Sequence, residues 1–137
     1  KGKPIFYSIA NFIFQVDKMV EVPLDHYEKF RVDPSLSVEE AEWIRSKGGT
    51  RGLDTQFKNY KGLMPLLEYE GDRLVSVRIK PVELGFYGEK AYKGLPKEAE
   101  ENVVREIYET LCRLSGPYGT KLTLENGQIL VNLEETV

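Results

Sequence analysis

The chain holds one histidine, His26, set between Asp25 and Tyr27. A protonatable ring beside a carboxylate can transfer a proton or bind a phosphate or carboxylate group; it can equally be a surface histidine at a helix start. Arg45, Lys47 and Arg51, interleaved with Gly48, Gly49 and Gly52, form a basic, glycine-bearing loop. Exposed amides and a guanidinium together suit an anionic ligand, with a plain solvated connection as the alternative. Asn11 follows an apolar run, where its amide either orients a ligand or caps a turn. Asn11, His26, Arg45 and Arg51 are therefore the candidate substrate-binding residues, and no residue is assigned a catalytic role.

Composition narrows the classes of partner. The net charge is −3 and the isoelectric point about 5.3, which argues against nucleic acid, whose binders concentrate Lys and Arg to displace counterions. Hydrophobic residues make up 41% of the 137 residues, enough for one domain with its own core, and no apolar stretch approaches the length of a membrane span. The single cysteine, Cys112, excludes a disulfide framework or a cysteine-rich zinc site within this chain. It lies in a helical apolar pattern and reads as core filler.

The elements that would position these residues are legible in order. Lys1-Gly2-Lys3-Pro4 reads as a polar turn, and Ile5 to Phe14 as a strand of about nine residues buried on both faces. A first residue of Lys, only a few positions before such a strand, suggests a chain that starts inside a longer protein, which leaves its compartment open. From Val16 to Val22 the pattern loosens. Leu24 to Arg31 forms a short helix, with Leu24, Tyr27 and Phe30 on one face. Ser37 and Glu40 make a capping box for a second helix running to about Lys47, stopped by Gly48-Gly49. Its Trp43 is expected to be a packing anchor between the middle segment and the hairpin that follows. Residues 50–59 read as loop.

Tyr60 to Glu70 and Arg73 to Leu84 read as a hairpin about Gly71-Asp72, with Pro65 and Pro81 better suited to an edge or strand end. Pro96 sits where a first helical residue is tolerated, with Glu98, Glu100 and Glu101 crowding the first turn. Ala99, Val103, Val104, Ile107, Tyr108, Leu111 and Leu114 form its apolar stripe. Leu122 to Glu125 and Gln128 to Leu133, joined by Asn126-Gly127, form a last hairpin whose apolar face would receive that helix.

The opening segment, Lys1 to Phe14, resembles the corresponding segment of the poly-γ-glutamate capsule biosynthesis (CapA-type) proteins, in which it closes a calcineurin-like metallophosphoesterase domain. Ala10 stands where that family usually has glycine, a residue suited to positive φ or close backbone approach. Asp25-His26-Tyr27-Glu28-Lys29-Phe30, Leu84-Gly85-Phe86, Gly94-Leu95-Pro96 and Leu114-Ser115-Gly116-Pro117-Tyr118-Gly119-Thr120 follow in the order found in the tail of one CapA-like subgroup.

The resemblance implies an α/β fold, α+β as a fragment: the C-terminal part of a metallophosphoesterase sandwich with two β-hairpins and one long amphipathic helix. Residues 1–15 would be the closing strand of the upstream domain, 16–59 a helical and loop excursion, and 60–137 a hairpin–helix–hairpin tail, all within one domain. A dinuclear phosphoesterase needs several His, Asp and Asn ligands, more than one histidine supplies. The resemblance places these ligands upstream, so a divalent metal pair, manganese or similar, is expected in the full-length parent and no cofactor in this chain. The expected partners are the upstream half of the same protein and an anionic small molecule or polymer. A non-catalytic binding or assembly module, shaping a substrate cleft or subunit interface, is the alternative.

Overall fold

The computed structural model describes residues 3–15 and 20–133. The Lys1-Gly2 turn, residues 16–19 of the loosened stretch and residues 134–137 lie outside the described residues.

Two tight turns build the sheet. Gly71, at φ 58°, reverses the chain between β1 (Lys61–Glu70) and β2 (Arg73–Glu83). Asn126 and Gly127, at φ 49° and 75°, do the same between β4 (Leu122–Glu125) and β5 (Gln128–Val131); two positive φ angles match the strand twist, which is why Asn-Gly favours this turn. The hairpins join through Arg78↔Leu130 and Ile79↔Ile129, giving an antiparallel order β1-β2-β5-β4. A two-residue strand, β3 (Lys97–Glu98), pairs with Val82 and Glu83 of β2.

The prolines sit where a missing donor costs least. The Leu63 amide points outward to the Ile9 carbonyl at 3.1 Å, so Pro65, two residues on in edge strand β1, also turns its nitrogen outward. The Leu84 amide points to Tyr60 on β1. By alternation Pro81 faces the other side of β2, between the residues paired with β5 and those paired with β3.

The long helix α3 (Glu101–Ser115) lays Val103, Val104 and Ile107 on Ile79 of β2 and Ile129 of β5. Each such buried side chain contributes about 1.5–3 kcal/mol of transfer free energy. The helix starts later than Pro96 suggests: Lys97 and Glu98 complete the sheet, so only Glu101 of the expected acidic residues lies in the first turn. Cys112 is half-buried, not core filler.

A second core gathers Phe14, Tyr60 and Leu84, with Phe57 and Phe86 packed against them. Tyr60 is fully enclosed and meets Phe14 edge-on at 5.0 Å. Residues 50–59, read as loop, hold a 3-10 turn, Leu53–Thr55, and most of a second, Phe57–Tyr60, which delivers Tyr60 to this core.

The short helices α1 (Leu24–Phe30) and α2 (Val38–Arg45) share a small core of Tyr27, Val32 and Ala41. The Ser37–Glu40 capping box is formed in both directions. Trp43 is 65% exposed, so it does not anchor this pair to the sheet.

The opening segment departs most from expectation. Residues 3–15 form an extended strap with one isolated bridge, Ala10↔Gly62, in place of a strand buried on both faces. Ile5, Tyr7 and Ile13 are 76%, 80% and 61% exposed, and Phe14 alone among its apolar residues is buried. An antiparallel ladder from this bridge would run along β1 toward Pro65, which has no N–H to give, and at Ala10 (φ 62°) the chain turns away. Two glycines admit the strap: a Cβ at Gly62 would lie 2.3 Å from the Asn11 carbonyl oxygen, and one at Gly94 would lie 1.9 Å from that of Phe14.

The fold is thus mixed α and β, with one antiparallel sheet and three α-helices among the described residues. No helix among them is long and apolar enough to cross a membrane.

Candidate functional site: a charged cleft beside the helical pair

The capping box fixes α2 and so the direction of its polar face, where Glu42 and Arg45 stand one turn apart. Arg45 donates from Nε to Glu42 Oε2 at 2.7 Å, and its terminal nitrogen lies 2.6 Å from the same oxygen. The other oxygen, Oε1, takes His26 Nε2 of α1 at 2.6 Å. Burial works against the charge on Glu42, but the hydrogen bonds and positive charges of Arg45 and His26 outweigh it, so its carboxyl is held below the ordinary glutamate value. Phe30 backs the group, its ring 4.8 Å from the imidazole and 5.7 Å from the guanidinium. One carboxylate therefore orients two groups that can carry positive charge.

These groups line a cleft of about 840 Å3 between the helical pair and the connection after β2. From that connection come Phe86, Lys90 and Lys93. The Lys93 ammonium donates to the Asp54 carbonyl oxygen at 3.2 Å and lies 5.3 and 5.4 Å from the rings of Tyr60 and Phe86. A carbonyl and two ring faces position this cation without neutralising it. Glu39, Asp54 and Trp43 complete the polar and aromatic lining.

The structure brings together two of the four residues expected to bind ligand, His26 and Arg45. Arg51 is exposed and does not line the cleft; its backbone amide donates to the Ser46 carbonyl oxygen at 2.9 Å, at the C-terminal end of α2. Asn11 lies in the strap, where its side-chain amide donates to the Asn59 carbonyl oxygen at 3.1 Å and ties strap to 3-10 turn.

Glu42, Lys90 and Lys93 were not evident from sequence. The spacing of Glu42 and Arg45 is a local signal that helix periodicity could have revealed. The meeting of His26 with Glu42, and of both with Lys90 and Lys93, depends on how distant segments pack. Among the described residues no group of three or more His, Cys, Asp or Glu side chains could hold a metal ion. A dinuclear centre does not fit this chain's described residues. A second cavity of about 510 Å3, between strap residues 3–8 and the end of α3, is lined mainly by hydrocarbon.

No protein-family model matches the sequence. Two curated relatives, the uncharacterized proteins y4sH and y4uA of Sinorhizobium fredii (strain NBRC 101917 / NGR234), are each 31% identical over 140 residues. Each alignment takes in 97% of this chain and 30% of the relative. The chain therefore spans under a third of the length of the curated relatives it matches.

Proposed function

We propose that this chain is the C-terminal part of a CapA-like, metal-dependent phosphoesterase-type protein connected with poly-γ-glutamate or capsule biosynthesis, and that its own contribution is binding. The observation that carries the binding role is the convergence of His26, Arg45, Lys90 and Lys93 on one cleft, with Glu42 orienting the first two. Lys90, a Lys93 ammonium that no carboxylate in the cleft neutralises, and a held guanidinium suit an anionic small molecule or polymer. The CapA connection is supported by the order of motifs from Lys1 to Thr120. In this reading a divalent pair, manganese or similar, belongs to the upstream half.

A non-catalytic assembly role is the second reading. The exposed apolar side of the strap, Ile5, Tyr7 and Ile13, favours it, because such side chains suit an interface with another segment or subunit.

Two measurements test the proposal. Manganese-dependent hydrolysis of a generic phosphodiester is expected in a version extended upstream and not in this chain alone; activity in the short chain would overturn the division of roles, and activity in neither would favour the assembly reading. Calorimetric titration with a γ-linked glutamate oligomer and with a short acidic oligosaccharide tests the cleft. At least one should bind, and Lys93→Ala should weaken it about tenfold or more, the equivalent of about 1.4 kcal/mol. Absence of binding by both probes would refute a binding role.

A further inference from the structure

The lining of the cleft narrows the ligand. Trp43 presents an indole that is 65% exposed, with its benzo ring against the turn that follows α2. A Cβ at Gly48 would lie 3.4 Å from Cζ2 and 3.8 Å from Cε2 and Cη2, so the Gly48 backbone sits against the benzo ring. The Gly48 amide also donates to the Trp43 carbonyl oxygen at 2.9 Å. Gly48 has φ 69°, a conformation that suits glycine. A buttressed ring in a cleft wall is a stacking platform: its electron-rich face attracts the weakly positive C–H groups of a pyranose ring.

The charges of the lining point the same way. Lys90 and Lys93 supply cations, whereas Glu39 and Asp54 place carboxylates in the same cleft. Ionised carboxylates only accept hydrogen bonds. A ligand made of anionic groups alone would meet the lysines favourably and these carboxylates unfavourably. A ligand bearing one carboxylate among several hydroxyls satisfies both sets, its carboxylate against the ammonium groups and its hydroxyls donating to Glu39 and Asp54. The volume of about 840 Å3 falls within the range of small-molecule sites and leaves room for more than one ring.

We propose that the cleft binds an acidic sugar, a uronic acid or a short oligomer of one, stacked on Trp43 with its carboxylate toward Lys90 and Lys93. This rests on the reading of the cleft as a ligand site and names the ligand class.

Trp43 is the single tryptophan of the chain, so its fluorescence reports on the cleft alone. Titration with trigalacturonate should give a saturable change in Trp43 emission. Maltotriose, which has the hydroxyls without the carboxylates, should bind at least tenfold more weakly. Calorimetry should show at least a tenfold loss of trigalacturonate affinity in Trp43→Ala and in Lys93→Met, with unchanged circular dichroism. Binding of a γ-linked glutamate trimer but not trigalacturonate would overturn the sugar assignment and leave the cleft as an anion site. Binding of neither would overturn both. Full trigalacturonate affinity in a folded Trp43→Ala variant would also overturn the stacking assignment.

Discussion

Gly94→Ala is expected to unseat the strap. Gly94 has φ 86°, where an L side chain costs about 1–2 kcal/mol. The new Cβ would stand 1.9 Å from the Phe14 carbonyl oxygen, so the strap backbone has to move. That motion breaks the 2.9 Å bond from the Phe14 amide to the Gly94 carbonyl oxygen, worth about 1 kcal/mol net. Phe14 is 9% exposed and packed edge-on against Tyr60, and withdrawing it forfeits about 1.5–3 kcal/mol of burial. Against this, alanine restricts the unfolded chain and returns about 0.4–1 kcal/mol. The net loss is about 4 kcal/mol, a large share of the roughly 5–15 kcal/mol that holds a domain folded. Urea denaturation of the wild type, Gly94→Ala, Phe14→Ala and the double variant gives the test. Phe14→Ala alone should cost about 3–5 kcal/mol. If both changes act by releasing the same segment, the double variant should fall short of additivity by more than about 1.5 kcal/mol. A loss below about 1 kcal/mol for Gly94→Ala, or additivity within about 0.5 kcal/mol, would refute the view that Gly94 seats the strap.

Ala10→Gly relieves the positive φ of 62°, a gain of about 1–2 kcal/mol set against about 0.4–1 kcal/mol of added unfolded-chain freedom. A rise in Tm of about 2–4 °C is expected by calorimetry, and no rise would show that the strain is absorbed elsewhere. Glu42 has its folded pKa held below the ordinary 4.5, so its stabilisation is complete above that value and is lost as pH falls through the lower folded one. Glu42→Gln should therefore flatten the acid limb of the stability curve below pH 4.5, and an unchanged limb would contradict the His26–Glu42–Arg45 geometry. Glu83 is buried, with Oε1 3.2 Å from the half-exposed Lys97 and Oε2 without a hydrogen-bond partner among the described residues. Lys97→Met should destabilise by about 1–3 kcal/mol by leaving the carboxylate unpaired. Glu83→Met in the same chain should recover most of that loss in urea denaturation, and failure to recover would remove the buried charge as its cause.

Local patterns carried much of the fold. The Ser37–Glu40 box, the Asn126-Gly127 turn and the hairpin about Gly71-Asp72 each depend on residues adjacent in sequence, and each has the geometry expected. The apolar stripe of α3 likewise reported its buried face, although its start did not, because Lys97 and Glu98 were claimed by β2. The strap misled for a related reason. Its composition is that of a strand, but whether a strand forms depends on the edge it meets, and β1 offers Pro65 beyond the first bridge.

By itself, the sequence determined the two hairpin turns, the capping of α2 and the apolar stripe of α3, and which side chains could receive an anion, since capping, turn chemistry and charge are properties of a few neighbouring residues. Tertiary structure decided which candidates meet. Packing of α1 on α2 brought His26 to Glu42, the connection after β2 brought Lys90 and Lys93 to the same cleft, and the turn at Gly48 left Trp43 at its wall instead of in the core. Asn11 and Arg51 were placed outside it. Those outcomes follow from the joint packing of the strap, the helical pair and the sheet, a long-range balance of burial and hydrogen bonding that no short window of sequence contains.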